Sequence, residues 1–121
     1  MRRKFLLSVL AIASSLAAAP CFAETAIPSL SGKRIALSTV GTSIYYDSRA
    51  FQAEIDEVKR LGGIPITLDA GRNDKTLVTQ LQTIVAQKPD AVIQLLGTSS
   101  VIEPWLKKIK DAGIPLFTCL L

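Results

Sequence analysis

The segment from Pro89 to Ser100 reads Pro, Asp, Ala, Val, Ile, Gln, Leu, Leu, Gly, Thr, Ser, Ser. From Ala91 to Leu96 every residue but Gln94 is apolar. The run is too short for a helix of ordinary length, and Gly97 with the hydroxyl cluster behind it brings it to a stop. A continuous apolar run of this kind is a strand buried on both faces. Such strands belong to parallel sheets covered by helices, and the ligands of those sheets sit beyond the carboxyl ends of the strands. The turn from Gly97 to Ser100 is therefore the first place to look for function.

The same alternation extends in both directions. Upstream, Leu77, Val78, Leu81, Ile84 and Val85 recur at helical spacing and predict a helix over Lys75 to Gln87, with Asp74 as its cap after a turn from Ala70 to Asn73. Before it lies a second strand, Ile64 to Asp69, whose Pro65 stands near the start, where a missing amide costs least. A first helix begins at Asp47 or Ser48, carries Phe51, Ile55, Val58 and Leu61 on one face, and is closed by Gly62 and Gly63. Ahead of it, Gly41 to Asp47 forms a loop with adjacent Tyr45 and Tyr46, the first strand spans Ile35 to Val40, and Glu24 to Gly32 is an extended lead-in.

Downstream, a third helix is built on Val101, Ile102, Trp105, Leu106 and Ile109. Trp105 lies on its apolar stripe and reads as a core residue. Ser100 with Glu103 matches a capping box, while Pro104 places the start of regular helix nearer Glu103. Asp111 to Gly113 ends it, and Ile114 to Cys119 opens a fourth strand. The pattern predicts an α/β three-layer sandwich, in which a parallel sheet of four strands carries three helices on its two faces.

The first 23 residues read as a targeting device. Met1, Arg2, Arg3 and Lys4 form a basic start, Phe5 to Leu16 an apolar run, and Ala17 to Ala23 a small-residue exit, which together make a secretory signal peptide cleaved after Ala23. The apolar run is shorter than the roughly 20 residues that a spanning helix needs. Arg2 and Arg3 also resemble a twin-arginine export signal, so the general and twin-arginine routes both stay open. Pro20 before Cys21 departs from the small residue of a lipid-anchoring signal. Of 14 basic residues, three leave with the leader while all 10 acidic ones stay, so the mature balance of 11 to 10 is close to neutral. The basic character of the whole chain gives no reason to expect a nucleic-acid partner. One small domain is all the mature chain can form.

Little here supports catalysis. The chain has no histidine, which removes the usual zinc sites and imidazole-based triads. With Cys21 gone, Cys119 has no partner for a disulfide, and its apolar surroundings predict a small buried residue rather than a reactive thiol. No nucleophile elbow, phosphate-cradling glycine loop or metal-ligand cluster occurs, and no cofactor or metal is expected.

Several junctions taken together, in their order and spacing, carry a resemblance. These are the Leu61, Gly62 helix end, the Leu68, Asp69 strand end, the helix from Gln80 to Gln87, the run Pro89, Asp90, Ala91, Val92, Ile93, and the junction Lys110, Asp111, Ala112, Gly113, Ile114, Pro115. From Lys33 to Thr118 the chain resembles the periplasmic sugar-binding proteins of the ribose and galactose type, which share their fold with the lactose-repressor group. The resemblance implies an amino-terminal lobe of a type I periplasmic binding protein, a small carbohydrate as ligand, and a membrane permease of an ABC-type uptake system as partner. A module presenting ligand to a membrane receptor, or an inactive fragment, is the alternative. The export signal favours the transport branch over the repressor branch, and a periplasmic location.

In such proteins two lobes close over a sugar, aromatic rings stacking on its apolar faces and polar groups bonding its hydroxyls. Carried over, this gives Tyr45, Tyr46 and Asp47 after the first strand, with Arg49 beside them, Asp69 and Asn73 after the second, and Thr98 and Ser99 after the third. Each has a plainer reading: the tyrosines packing on the first helix, Asp47, Ser48 and Ser100 as caps, and Asp69 holding its own turn. The family's fourth strand normally runs into an Asp, often with an Arg beside it, where this chain has Leu120 and Leu121. The expectation is a lobe cut short, by a frameshift near its end for example, that binds sugar weakly and leaves an open sheet edge.

Overall fold

The apolar pattern resolves into seven alternating elements in the computed structural model, which describes residues 26–97 and 99–119. They are β1 (Arg34–Thr39), α1 (Tyr45–Arg60), β2 (Ile64–Asp69), α2 (Asp74–Gln87), β3 (Ala91–Leu95), α3 (Ser99–Asp111) and β4 (Leu116–Cys119). The export signal read over 1–23, Thr98, and the Leu120, Leu121 end lie outside the described residues. Among the described residues, no helix is long and apolar enough to cross a membrane.

All four strands are parallel, in the order β2-β1-β3-β4. Ala36 pairs with Ile66 on one side and Val92 on the other, Leu37 pairs with Ile93, and Ile93 pairs with Phe117. Because side chains alternate along a strand, this register divides the core in two. Ile35, Leu37 and Leu95 meet Phe51 and Val58 of α1 on one face. Ala36 and Val92 meet Leu77, Leu81 and Ile84 of α2 and Ile102 and Ile109 of α3 on the other. The two central strands are thus buried on both sides, which is why β3 reads as an unbroken apolar run. Each fully buried leucine, such as Leu77 or Leu81, contributes on the order of 1.5–3 kcal/mol.

Helix ends follow their chemistry. Gly62, at φ +82°, takes the left-handed position after Leu61. The amide of Gly63 then returns to Val58 O at 2.8 Å and that of Gly62 to Lys59 O at 2.9 Å, so these two carbonyls of the last turn of α1 are satisfied. The lead-in docks here, since the Leu30 amide donates to Leu61 O at 2.8 Å and the Leu30 side chain joins the α1-facing core. At the amino end of the sheet, the Arg34 amide donates to Asp90 Oδ2 at 2.8 Å and Lys33 Nζ lies 3.4 Å from Oδ1. These contacts, the backbone bond foremost, hold the Asp90 carboxyl below the usual carboxylate range.

Several boundaries differ from the sequence pattern. Helix α1 begins at Tyr45 rather than Asp47 or Ser48, because the Ser48 amide already bonds Ile44 O at 3.0 Å. Ile44 holds the cap position without any side-chain bond. Asn73, not Asp74, caps α2, its Oδ1 accepting from the Thr76 amide at 2.9 Å. Helix α3 runs from Ser99 with Pro104 inside it. Its missing N–H deprives only the carbonyl four residues earlier, at the exposed start of the helix, and Ser100 is a helical residue rather than the cap that a capping box needs. Trp105 is half-buried against the core, with Lys108 Nζ 3.9 Å above its ring. Cys119, expected to be buried, is exposed, and its neighbour Phe117 is 62% exposed. β4 is the sheet's edge, and no described helix covers the α1-side face there.

Candidate functional site

The topology makes one crevice. β1 and β3 are neighbours, yet α1 leaves β1 toward one face of the sheet and α3 leaves β3 toward the other. Their following loops diverge, opening a cleft at the carboxyl ends of the strands, the usual ligand position in an open parallel sheet.

The loops after β1 and β2 are tied together across the rim. Thr42 Oγ1 donates to Asp69 Oδ2 at 2.5 Å, the Gly71 amide donates to Asp69 Oδ1 at 2.8 Å, and Gln80 Nε2 holds the Asp69 carbonyl at 2.9 Å. The Arg72 amide donates to Val40 O at 2.6 Å, and Arg72 Nε donates to Ser43 Oγ at 3.0 Å. Its Nη2 forms an ion pair with Asp47 Oδ2. The approach is close enough that a Cβ on Gly41 would sit 2.7 Å from the Arg72 nitrogen. Asp47 therefore neutralises Arg72, so this charge pair suits an uncharged ligand better than an ionic one.

The turn after β3 has its own brace. Gln94, fully buried at the end of β3, donates from Nε2 to Leu96 O at 2.8 Å and holds Leu96 at φ +60°. This turn leads directly to Thr98 and Ser99. The Leu96 amide donates to Cys119 O at 3.0 Å, which joins the turn to the edge strand. Gln94 Oε1 and Ser38 Oγ, on paired residues of β3 and β1, have no hydrogen-bond partner among the described residues.

The expected site residues divide accordingly. Tyr45 and Tyr46 stand at the rim, 81% and 62% exposed, so packing on α1 does not consume them; they lie in the first turn of α1 rather than in a loop. Asp47 shares that turn but is buried in its pair with Arg72. Asp69 holds its own turn and the neighbouring loop. Asn73 is a cap, Ser99 is the first residue of α3, and Thr98 lies outside the described residues. The sequence reading missed Arg72, whose partner Asp47 is 25 residues away, and Gln94, although a lone polar residue in an apolar run was a signal for it. A separate groove, lined by Glu103, Pro104, Leu106, Lys107, Lys110 and Leu116 among others, lies along the outer edge between α3 and β4. Among the described residues no cluster of His, Cys, Asp and Glu could hold a metal ion.

Comparison with known proteins adds independent findings. The family model described as periplasmic binding protein domain matches residues 35–119. A solute-binding protein of an ABC transporter from Agrobacterium vitis, solved with bound allitol, is 62% identical at a TM-score of 0.74, the match covering 74% of this chain and 31% of that one. An ABC sugar transporter subunit from Rhodobacter sphaeroides is 59% identical at 0.73, covering 74% and 32%. A second Agrobacterium vitis solute-binding protein, bound with α-D-tagatopyranose, is 29% identical at 0.63, covering 71% and 29%. The chain thus spans about a third of the length of the solved structures it matches. No curated protein matches.

Proposed function

Because the chain belongs to the periplasmic binding protein domain family, we propose that it supplies one wall of a cleft for a small neutral carbohydrate, a sugar or sugar alcohol, in an ABC-type uptake system. The observation that carries this is the pair of exposed tyrosines, Tyr45 and Tyr46, at the start of the helix that bounds the β1/β3 crevice. Two rings at a rim offer faces to the C–H bonds of a polyol, while polar groups of the β3 turn, Thr98 and Ser99 among them, bond its hydroxyls. Asp47 and Asp69 act from behind by shaping the rim, and ligand contact from either follows only if its present partner gives way. The allitol bound to the Agrobacterium vitis relative and the tagatopyranose bound to the second favour this ligand class. A periplasmic location, reached through the leader over 1–23, and delivery to a membrane permease complete the reading.

One wall makes about half of a clamp's contacts. If a whole clamp of micromolar affinity holds its sugar by about 8 kcal/mol, half of that corresponds to a dissociation constant of roughly 1 mM. Isothermal titration of the chain with allitol, tagatose and a panel of pentoses and hexoses tests this. Saturable heat in the millimolar range for at least one of them supports the reading. Absence of saturable heat for every member, from a folded sample, refutes it.

A further inference from the structure

The geometry points to Arg72 as the positioning residue that fixes the tyrosine-bearing first turn of α1. Helix α1 starts without help from its own cap, because Ile44 offers no side-chain acceptor and the amides of the first turn have no capping partner there. What holds that turn instead is Asp47, buried between Tyr46 and Ser48 and paired with Arg72 Nη2, while Arg72 Nε binds Ser43 at the entrance to the helix. Arg72 is itself held in place. Its amide is bonded to Val40 O, its backbone sits at φ +59°, and the preceding Gly71 is fixed by Asp69. A guanidinium engages two sites in fixed geometry, so Arg72 clamps both Ser43 and Asp47 and thereby sets the direction of Tyr45 and Tyr46; a lysine carries only one compact charge. The β2 loop thus governs the aromatic edge of the crevice although it lies beyond β1. The consequence for ligand rests on the function proposed above, but the clamp itself does not.

The chain's only two tyrosines are Tyr45 and Tyr46, which makes a ligand-free test possible. With 3-fluorotyrosine incorporated, the fluorine NMR spectrum reports these two rings alone, and amide exchange at Ser48, whose bond to Ile44 O closes the first turn, reports the backbone. The Lys88 amide, bonded to Ile84 O at the end of α2, serves as the internal control. In Arg72→Met and in Asp47→Asn, Ser48 exchange rises by about tenfold or more, as expected for loss of a charge-assisted contact, and the two fluorine signals move toward one averaged position while Lys88 is unchanged. Arg72→Lys gives a smaller rise and partial averaging, and this conservative variant carries the test should Arg72→Met not fold. Unchanged fluorine signals and Ser48 exchange in all folded variants overturn the assignment. A rise at Lys88 equal to that at Ser48 also overturns it, because Arg72 then supports the whole fold rather than this turn.

Discussion

Replacing Gly41 by alanine probes the closest approach in the rim. An added Cβ would lie 2.7 Å from the Arg72 nitrogen, 2.8 Å from its Cγ and 3.3 Å from the Gly71 carbonyl carbon. Ordinary contact begins near 3.4 Å, so the β1 and β2 loops must separate by about 0.7 Å. The bond from the Arg72 amide to Val40 O, 2.6 Å long, then stretches to about 3.3 Å, just past the ordinary range, and weakens. Overpacking of this kind costs about 1–3 kcal/mol and the weakened bond up to about 1 kcal/mol, against a gain of about 0.4–1 kcal/mol from the stiffer unfolded chain. The expected net loss is about 2 kcal/mol, read as a lower urea midpoint at unchanged slope. Gly71→Ala is the control, since its φ of +59° brings backbone strain but no atom lies within 4 Å of the added Cβ. It should cost about 1 kcal/mol and leave the Arg72 amide protected from exchange. A Gly41→Ala protein within about 0.5 kcal/mol of the parent, with that amide still protected, refutes the close approach.

Three other outcomes are expected. Asn73→Ala removes the α2 cap and should cost about 1 kcal/mol in urea unfolding, whereas Asp74→Ala should cost less, because Asp74 caps nothing. Gln94→Leu deletes the donor to Leu96 O, and amide exchange should rise at Leu96 more than at Val92 on the same strand. Asp90 sets an acid limb: its folded-state pKa is depressed, so its contribution is present above the ordinary value of 3.8 and disappears as pH falls through the folded value. The stability difference between the parent and Asp90→Asn should therefore be constant near neutrality and shrink below pH 3.8; a difference that grows on acidification contradicts the Arg34 and Lys33 contacts.

Parallel strands, helix faces and glycine stops were legible because each is a local pattern. Val92 and Leu95 had to be buried on opposite faces, and Leu77, Leu81 and Ile84 had to form one stripe, whatever lay elsewhere in the chain. Boundaries failed where a neighbour in space, not in sequence, decided the outcome. Asp47 looked like a cap because aspartate caps helices. It serves Arg72 instead, and nothing within 20 residues of Asp47 announces that partner. Cys119 looked buried from its apolar neighbours, but burial belongs to the element that covers a strand, and no described element covers that face of β4. The candidate rim was partly legible for the same reason: the tyrosine pair could be located by counting along the chain, while the straps that orient it could not.

The central claim is that ligand meets the carboxyl rim between β1 and β3. Amide chemical-shift mapping of the labelled chain during titration with allitol tests it most directly. The account predicts saturable shifts centred on the segments following those strands, Gly41 to Ser48 and Leu96 to Ser100, with Lys107 and Lys110 of the outer groove unmoved. Saturable shifts centred on that groove, or on the Asp90 end of the sheet, would contradict it.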